Sequence, residues 1–170
     1  MERPERSDAA EYYFNYIDKV TTDDVLGLLE DQLRSTPAFL NAVPEDKHGY
    51  AYEPGKWTIK EVVGHVIDTE RAFANRAFCF ARRDPAELPS FEQDDYVASA
   101  RYGVRSLSDI VAEHRAVRQA SLALFRSFAD DEWARRGRAT GRDFTVRAMP
   151  FIVAGHEIHH LDVIRRKYLD

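Results

Sequence analysis

The chain has 170 residues, of which 44% are hydrophobic and 31% are charged, and its net charge is −5. This composition is typical of one globular domain spanning residues 1–170, and the acidic balance argues against a nucleic-acid partner. The single cysteine, Cys79, excludes an internal disulfide, and the lack of a signal peptide or of an apolar run near the ~18 residues of a membrane span predicts a cytoplasmic protein with no membrane partner.

Four long segments carry apolar residues at helical spacing. The predicted helices cover residues 23–40, 58–82, 106–128 and a last segment that begins near 145 or 150 and ends near 168. The second has the clearest start, because Thr58 and Glu61 form the pattern of a capping box. Strand signals are thin, and the stretch GRATGRD before the last helix is interpreted as a helix-breaking segment. The sequence therefore predicts an all-α fold, a four-helix bundle.

A long loop is predicted between the second and third helices. Residues 84–105 contain two prolines, a glycine and several aromatic residues, and compact domains rarely keep so long a loop without a function. One interpretation is a wall or lid over a binding site, with Phe91, Asp94, Asp95 and Tyr96 nearest to it. The alternative is a loop that only covers the end of the bundle.

The segment HEIHH in the last predicted helix places His156 and His160 one turn apart. Residues at i and i+4 lie about 40° apart around a helix, so both imidazoles project from one apolar face. They are either metal ligands or two core histidines with other partners. A third ligand must come from another helix, and His65 is the best candidate because small and polar residues surround it. Arg76, three turns beyond His65, is a candidate for binding an anionic group, with a surface salt bridge as the alternative.

Other polar residues are candidates for supporting roles. Glu61 and Asp68 could accept hydrogen bonds from a ligand histidine or could be ordinary solvated charges. His159 is interpreted as a non-ligand that faces a neighbouring helix or supports the site. His48 lies in a loop and His114 lies among charged residues, so both are interpreted as bystanders.

Read literally, the same segment is HExxH, the signature of zinc proteases, in which the Glu activates water. One large class of these enzymes has a third histidine six residues after the second, where this chain has Arg166. Another class uses a downstream Glu, and none follows His160. No convincing edge strand is available to hold a peptide. A zinc protease is therefore the least favoured function.

The chain resembles the DinB-like superfamily of metalloenzymes, and the resemblance covers nearly its whole length. It is clearest in KWTIKEVVGHVIDTERAFANRAFCFARRD (residues 56–84), in LPSFEQDDYV (88–97) and in TVRAMPFIVAGHEIHHLDVI (145–164). The combination of GHxIDTE with GHEIHH is typical of one branch of the superfamily. The resemblance implies a four-helix bundle that holds one divalent metal, most often zinc or nickel, through His65, His156 and His160.

The resemblance also implies a class of function. Characterised relatives include S-transferases and isomerases that use a low-molecular-weight thiol, others are described as hydrolases, and many are homodimers. We therefore expect a metal-dependent transferase or hydrolase that acts on a small molecule. The alternative is a non-catalytic metal-binding stress or binding protein, in which a fourth protein ligand would close the site.

Overall fold

The computed structural model describes residues 1–169, and four long helices form a bundle. The elements are α1 (Phe14–Ile17), α2 (Val25–Asn41), α3 (Ile59–Ala81), α4 (Gln93–Ser99), α5 (Leu107–Arg126), β1 (Arg136–Ala139), β2 (Arg142–Thr145) and α6 (Ala148–Ile164). The four long helices α2, α3, α5 and α6 lie within a few residues of the predicted ones. The predicted helical bundle is confirmed.

The helices pack in an order that differs from their order in the chain. Helix α3 packs between α5 and α6, and α2 packs against the same two helices from the opposite side. Consecutive helices α2 and α3 are therefore diagonal in the bundle. Every residue of α6 from Ala148 to Glu157 is buried. A helix enclosed on all sides must find protein partners for its polar side chains, because no solvent reaches them.

The predicted helix starts at Thr58 and Ser106 are present. The backbone N–H of Glu61 donates to Thr58 Oγ1 over 3.3 Å, and the Thr58 N–H donates to Glu61 Oε2 over 2.7 Å. At α5, Ser106 Oγ accepts from the N–H of Asp109 over 3.1 Å. These contacts fix the beginnings of the helices by local chemistry.

The helix-breaking interpretation of GRATGRD missed a β-hairpin. Strands β1 and β2 pair antiparallel, and Thr140 and Gly141 connect them with φ of 57° and 72°. Two consecutive left-handed residues form the type I′ turn that suits a two-residue hairpin. The strands have only four residues each, which is too short for a visible alternation of apolar and polar residues. The hairpin is held by packing, with Phe144 fully buried.

The connection between α3 and α5 was predicted to be a loop, but part of it is helical. It contains α4 and a 3-10 turn at Tyr102–Val104. Asp94 and Asp95 lie in the first turn of α4, where carboxylates favour the helix dipole. Seven residues are too few to show helical periodicity. Before α4, the backbone N–H of Leu88 donates to the carbonyl of Arg138 in the hairpin over 2.9 Å.

The N-terminal segment folds back onto α6 through α1. Phe14, Ile17 and Val20 are buried against it. No helix within residues 1–169 is both long and apolar enough to cross a membrane.

Candidate metal site

Three histidines meet where α3 packs against α6. His156 Nε2 lies 3.1 Å from His65 Nε2 and 3.1 Å from His160 Nε2, and the three ligand atoms all lie within 4.8 Å of one another. His65 and His156 are buried, and His160 is half-buried. The structure thus brings together the three residues predicted as ligands from two helices that are distant in the sequence.

The arrangement of these nitrogens fits a metal ion. In a neutral imidazole only one of the two ring nitrogens carries a proton. Where unprotonated nitrogens of neighbouring imidazoles face one another, their lone pairs repel, and this buried contact is unfavourable without a cation between them. Nitrogens about 2.0–2.1 Å from a zinc ion and 3.1 Å apart would subtend roughly 100° at it. Three imidazole nitrogens at this spacing therefore fit one divalent transition-metal ion.

Burial keeps the three imidazoles in their neutral form. It lowers the pKa of His65 to about 4 and, together with the neighbouring histidines, that of His160 to about 3. The pKa of His156 also falls well below its ordinary value, for the same reasons. Neutral imidazole is the metal-binding form, so the site can accept an ion at neutral pH without first losing protons.

These pKa shifts predict that the metal-free protein loses stability in mild acid. A histidine that is neutral when folded but protonates near pH 6.5 when unfolded stabilises the fold above pH 6.5. That contribution disappears as the pH falls from 6.5 towards 4 at His65 and 3 at His160. Urea denaturation at pH 7.5, 6 and 5 should show a free energy of unfolding that falls by roughly 2 kcal/mol for each of these histidines over this range, because one pKa unit corresponds to about 1.4 kcal/mol. A flat profile, or a smaller loss in wild type than in His65→Ala, would contradict it.

Two glycines allow the elements around the histidines to approach closely. Each directly precedes a ligand candidate: Gly64 before His65, and Gly155 before His156. A Cβ at Gly155 would overlap the backbone carbonyl of Tyr16, and one at Gly64 would overlap the ring of Tyr102. The GH pairs of the sequence therefore reflect close packing beside the ligands.

Gly155→Ala should destabilise the protein by about 1–3 kcal/mol, despite alanine's higher helix propensity. The obstacle is the backbone of Tyr16, which cannot move aside as a flexible side chain can. Urea denaturation measures the loss. Gly103→Ala is the matched control, because nothing lies within 4 Å of a Cβ there, and it should change stability by less than about 0.5 kcal/mol. Equal effects would refute the close-packing explanation.

Cavities open on two sides of the histidines. The first, about 250 Å³, is bordered by His65 and His156, by tyrosines of the N-terminal segment, by Thr69, Phe73 and Arg76 of α3, and by residues 90–93. The second, about 370 Å³, is bordered by His160, His159, Trp57 and Asp94. The histidines can therefore be approached by small molecules.

The four loop residues predicted nearest to the site have different positions. Phe91 lines the first cavity and Asp94 the second. Tyr96 packs on Phe91, with 5.1 Å between ring centroids, and lines a groove outside the first cavity. Asp95 is exposed and lines neither cavity. The connection thus contributes a wall through Phe91 and Asp94.

The candidate supporting residues have other partners. Glu61 caps α3, and Asp68 accepts hydrogen bonds from Tyr102 Oη over 2.9 Å and from Arg71 over 3.3 Å. Within residues 1–169 neither carboxylate hydrogen-bonds to the three histidines. His159 packs edge-on against Tyr16 with 5.5 Å between ring centroids, and it is not one of the clustered ligand atoms.

Glu157 points away from the histidines into a buried charge network. Its carboxylate accepts from Arg118 over 2.7 Å, from His114 over 2.8 Å and from Thr36 over 2.6 Å. Burial alone would raise the pKa of Glu157, but Arg118 and the two other donors hold it at about 2. His114, interpreted as a bystander, is 1% exposed and hydrogen-bonds to Glu157, and it lies outside the cluster of three histidines. Glu157 cannot serve the water-activating role of a protease.

A family model described as the DinB superfamily matches residues 28–164. The chain belongs to the DinB superfamily. No curated protein matches it in sequence. The DinB fold is shared with YfiT from Bacillus subtilis, described as a probable metal-dependent hydrolase with an unusual four-helix bundle topology. The TM-score is 0.64 at 19% identity, and the alignment covers 96% of this chain and 91% of YfiT.

A mycothiol-dependent maleylpyruvate isomerase also has this DinB fold. The TM-score is 0.65 at 15% identity, over 86% of this chain and 62% of the isomerase. A histidine-to-alanine variant of the isomerase gives a TM-score of 0.67 at 14% identity over the same shares. At these identities the likeness establishes the fold, and this chain corresponds to only part of the isomerase.

Some cavity residues of this DinB protein were not predicted. Tyr12 and Tyr16 lie in an N-terminal segment without helical periodicity. Trp57 packs against His65 with the rings tilted by 42° and 4.8 Å between their centroids, and its place just before Thr58 in the sequence gives no sign of this contact. Arg76 is buried rather than in the surface salt bridge offered as an alternative.

Proposed function

We propose that this protein is a metal-dependent enzyme that acts on a small molecule, with one divalent ion held by His65, His156 and His160. The observation that carries the proposal is the convergence of three neutral imidazoles beside two cavities. When bound, the metal would supply Lewis acidity that makes a water or a thiol nucleophilic at neutral pH.

The protein's own residues would hold and enclose the reactants. Phe73 and Phe91 give the first cavity apolar walls beside the histidines. Burial and a hydrogen bond with Tyr12, 3.0 Å between hydroxyl oxygens, raise the pKa of Tyr16. Its hydroxyl therefore stays protonated at neutral pH and can donate a hydrogen bond to a substrate oxygen.

A catalytic site is favoured over a closed structural site by the lack of a fourth ligand. Structural zinc sites use four protein ligands, whereas catalytic sites keep an open position. Among residues 1–169 the cluster contains three histidines only, and Glu61, Asp68 and His159 have the partners described above. This argues against the non-catalytic alternative.

Two cavities on different sides of one site suit a reaction between two reactants. A low-molecular-weight thiol as co-substrate and an electrophilic substrate could occupy them, which favours thiol transfer. YfiT, described as a probable hydrolase, has the same fold and keeps hydrolysis as the alternative, with water as the second reactant. Metal-loaded protein incubated with a panel of thiols and electrophiles should consume thiol. Ester or amide cleavage without thiol loss would favour the hydrolase.

Elemental analysis tests the metal site directly. Purified wild type should contain about one divalent metal ion per chain, and His65→Ala and His160→Ala should reduce this at least tenfold. His159→Ala is the matched control, a histidine on the same helix that should retain the metal. Unchanged metal content in both ligand variants would refute the site.

Two further predictions are independent of the site. A homodimer is expected from the superfamily, and a cytoplasmic location is expected from the single cysteine. Analytical ultracentrifugation of the purified chain would decide the first.

A further inference from the structure

The first cavity extends along one face of α3 away from the histidines. His65, Thr69 and Arg76 border it in that order. At 1.5 Å per residue, the eleven residues from His65 to Arg76 span roughly 16 Å along the helix axis. Side chains on a helix lean towards its N-terminus, so the guanidinium of Arg76 lies nearer to His65 than its backbone does. The cavity thus has a metal-binding end and an arginine end.

Arg76 is a buried cation without an acidic partner. Arg76 is 4% exposed, and its Nη2 donates a hydrogen bond to the carbonyl of Pro89 over 3.2 Å. No ion pair joins it to a carboxylate within residues 1–169; Glu92, which also lines the cavity, is exposed. The guanidinium also lies over the Phe73 ring, 4.8 Å from its centroid, but neither contact supplies a negative charge. Burial of a cation without a counter-charge is costly, whereas the similarly buried Arg118 is paired with Glu70 and Glu157.

Thr69 carries a second unused polar group. The residue is 4% exposed, and its Oγ1 is fully buried without a hydrogen-bond partner in the described chain. Threonine in a helix usually bonds its hydroxyl to a carbonyl one turn back. Its two accessible χ1 rotamers allow the hydroxyl to turn towards an oxygen in the cavity. A buried cation and a buried unpaired donor therefore border the same space.

We propose that this cavity binds its substrate through a carboxylate, which pairs with the guanidinium of Arg76 and accepts a hydrogen bond from Thr69. The inference rests on the proposed function in one respect, namely that the substrate reacts at the end of the cavity formed by His65 and His156. A planar guanidinium matches the two oxygens of a carboxylate. A single arginine neutralises one negative charge, which favours a carboxylate over a phosphate. The aromatic walls suit a substrate with an apolar body between its two ends.

Calorimetric titration of metal-free protein tests the carboxylate site, because no metal ion is present to coordinate the probe directly. The probes are 3-phenylpropionate and its neutral amide, which have the same shape. Wild type should bind the acid at least tenfold more tightly than the amide, because the charge-assisted pair forms only with the acid, and Arg76→Gln should remove that preference. Arg115→Gln, which removes an exposed arginine of α5, is the control for net charge and should bind as wild type does.

Thr69→Val keeps the test valid if Arg76→Gln folds poorly. It removes the hydroxyl at constant shape, so the acid should bind about threefold more weakly. The melting temperature should stay equal or rise, because no hydrogen bond is lost. A structural role for the hydroxyl would instead lower the melting temperature.

The outcomes separate this inference from the proposed function. Equal binding of acid and amide, equal binding by wild type and Arg76→Gln, or tighter binding of phenyl phosphate than of the acid would overturn the carboxylate site. Metal bound by the wild type in any of these cases would leave the proposed function intact. Arg76-dependent binding of the acid by a protein that contains no metal and takes up none would overturn only the metal site.

Discussion

Replacing Arg118 with methionine should destabilise the protein by about 3–5 kcal/mol. Arg118 is fully buried and is surrounded by acceptors from three helices. Its Nε and Nη2 donate to the two oxygens of Glu70 over 2.9 Å, and Nη2 also donates to Glu157 over 2.7 Å. Nη1 donates to Gln32 over 3.1 Å. Removing the cation leaves two buried carboxylates without their counter-charge.

We expect the loss of stability in Arg118→Met to come from the buried carboxylates left behind, and two further variants test this explanation. Arg118→Met combined with Glu70→Leu and Glu157→Met removes the whole ionic group, and it should recover much of the lost stability. Arg126→Met is the surface control. Its ion pair with Glu30 is about half exposed and should contribute less than about 1 kcal/mol.

Urea denaturation at pH 7.5 measures the free energy of unfolding of all three variants. A loss below about 1 kcal/mol for Arg118→Met would show that the network is not ionised as described. A triple variant less stable than Arg118→Met would refute the explanation by stranded charge.

Metal addition should raise the melting temperature of wild type by roughly 5–10 °C, and His156→Ala should abolish that rise. Binding to the folded state alone stabilises it by about 2.7 kcal/mol at a free metal concentration of 100 times Kd, and 1 kcal/mol shifts the melting temperature of a chain this size by about 2–4 °C. His156 is the central ligand candidate, since its Nε2 lies 3.1 Å from both others.

Differential scanning calorimetry with zinc, nickel and a chelator measures these shifts. The difference between metal-loaded and chelated samples is the relevant quantity, because His156→Ala also changes the stability of the metal-free protein. His159→Ala should keep the full difference. A metal-dependent rise that survives in His156→Ala would place the ion elsewhere.

The four long helices were predictable because their signals are local. Capping at Thr58 and Ser106 and the apolar periodicity depend on residues within one or two turns. The one-turn spacing of His156 and His160 is local in the same way. Their association with His65 depends on packing of α3 against α6, and the sequence indicated it through composition and family resemblance.

The missed features depend on packing between distant residues. The hairpin and α4 are too short for periodicity, and contacts with the bundle stabilise them. The charge network joins Arg118 to residues 48 and 39 positions away, and no spacing pattern connects them. His114 lies among charged residues in the sequence, yet its burial on the inner face of α5 follows only from the position of Glu157 on α6.

The histidines of the first cavity and several residues of its walls lie in regions that tolerate substitution to different extents. Residues Ala148 to Glu157 of α6, which include His156, are all buried, so they tolerate few substitutions. The tyrosines of the N-terminal segment and Phe91 belong to short peripheral segments that fold onto the bundle from outside. Substrate preference can therefore diverge between relatives through these segments while the histidines stay fixed. Variant libraries that seek new substrates for this scaffold belong at Tyr12, Tyr13 and Tyr16 and at residues 90–93.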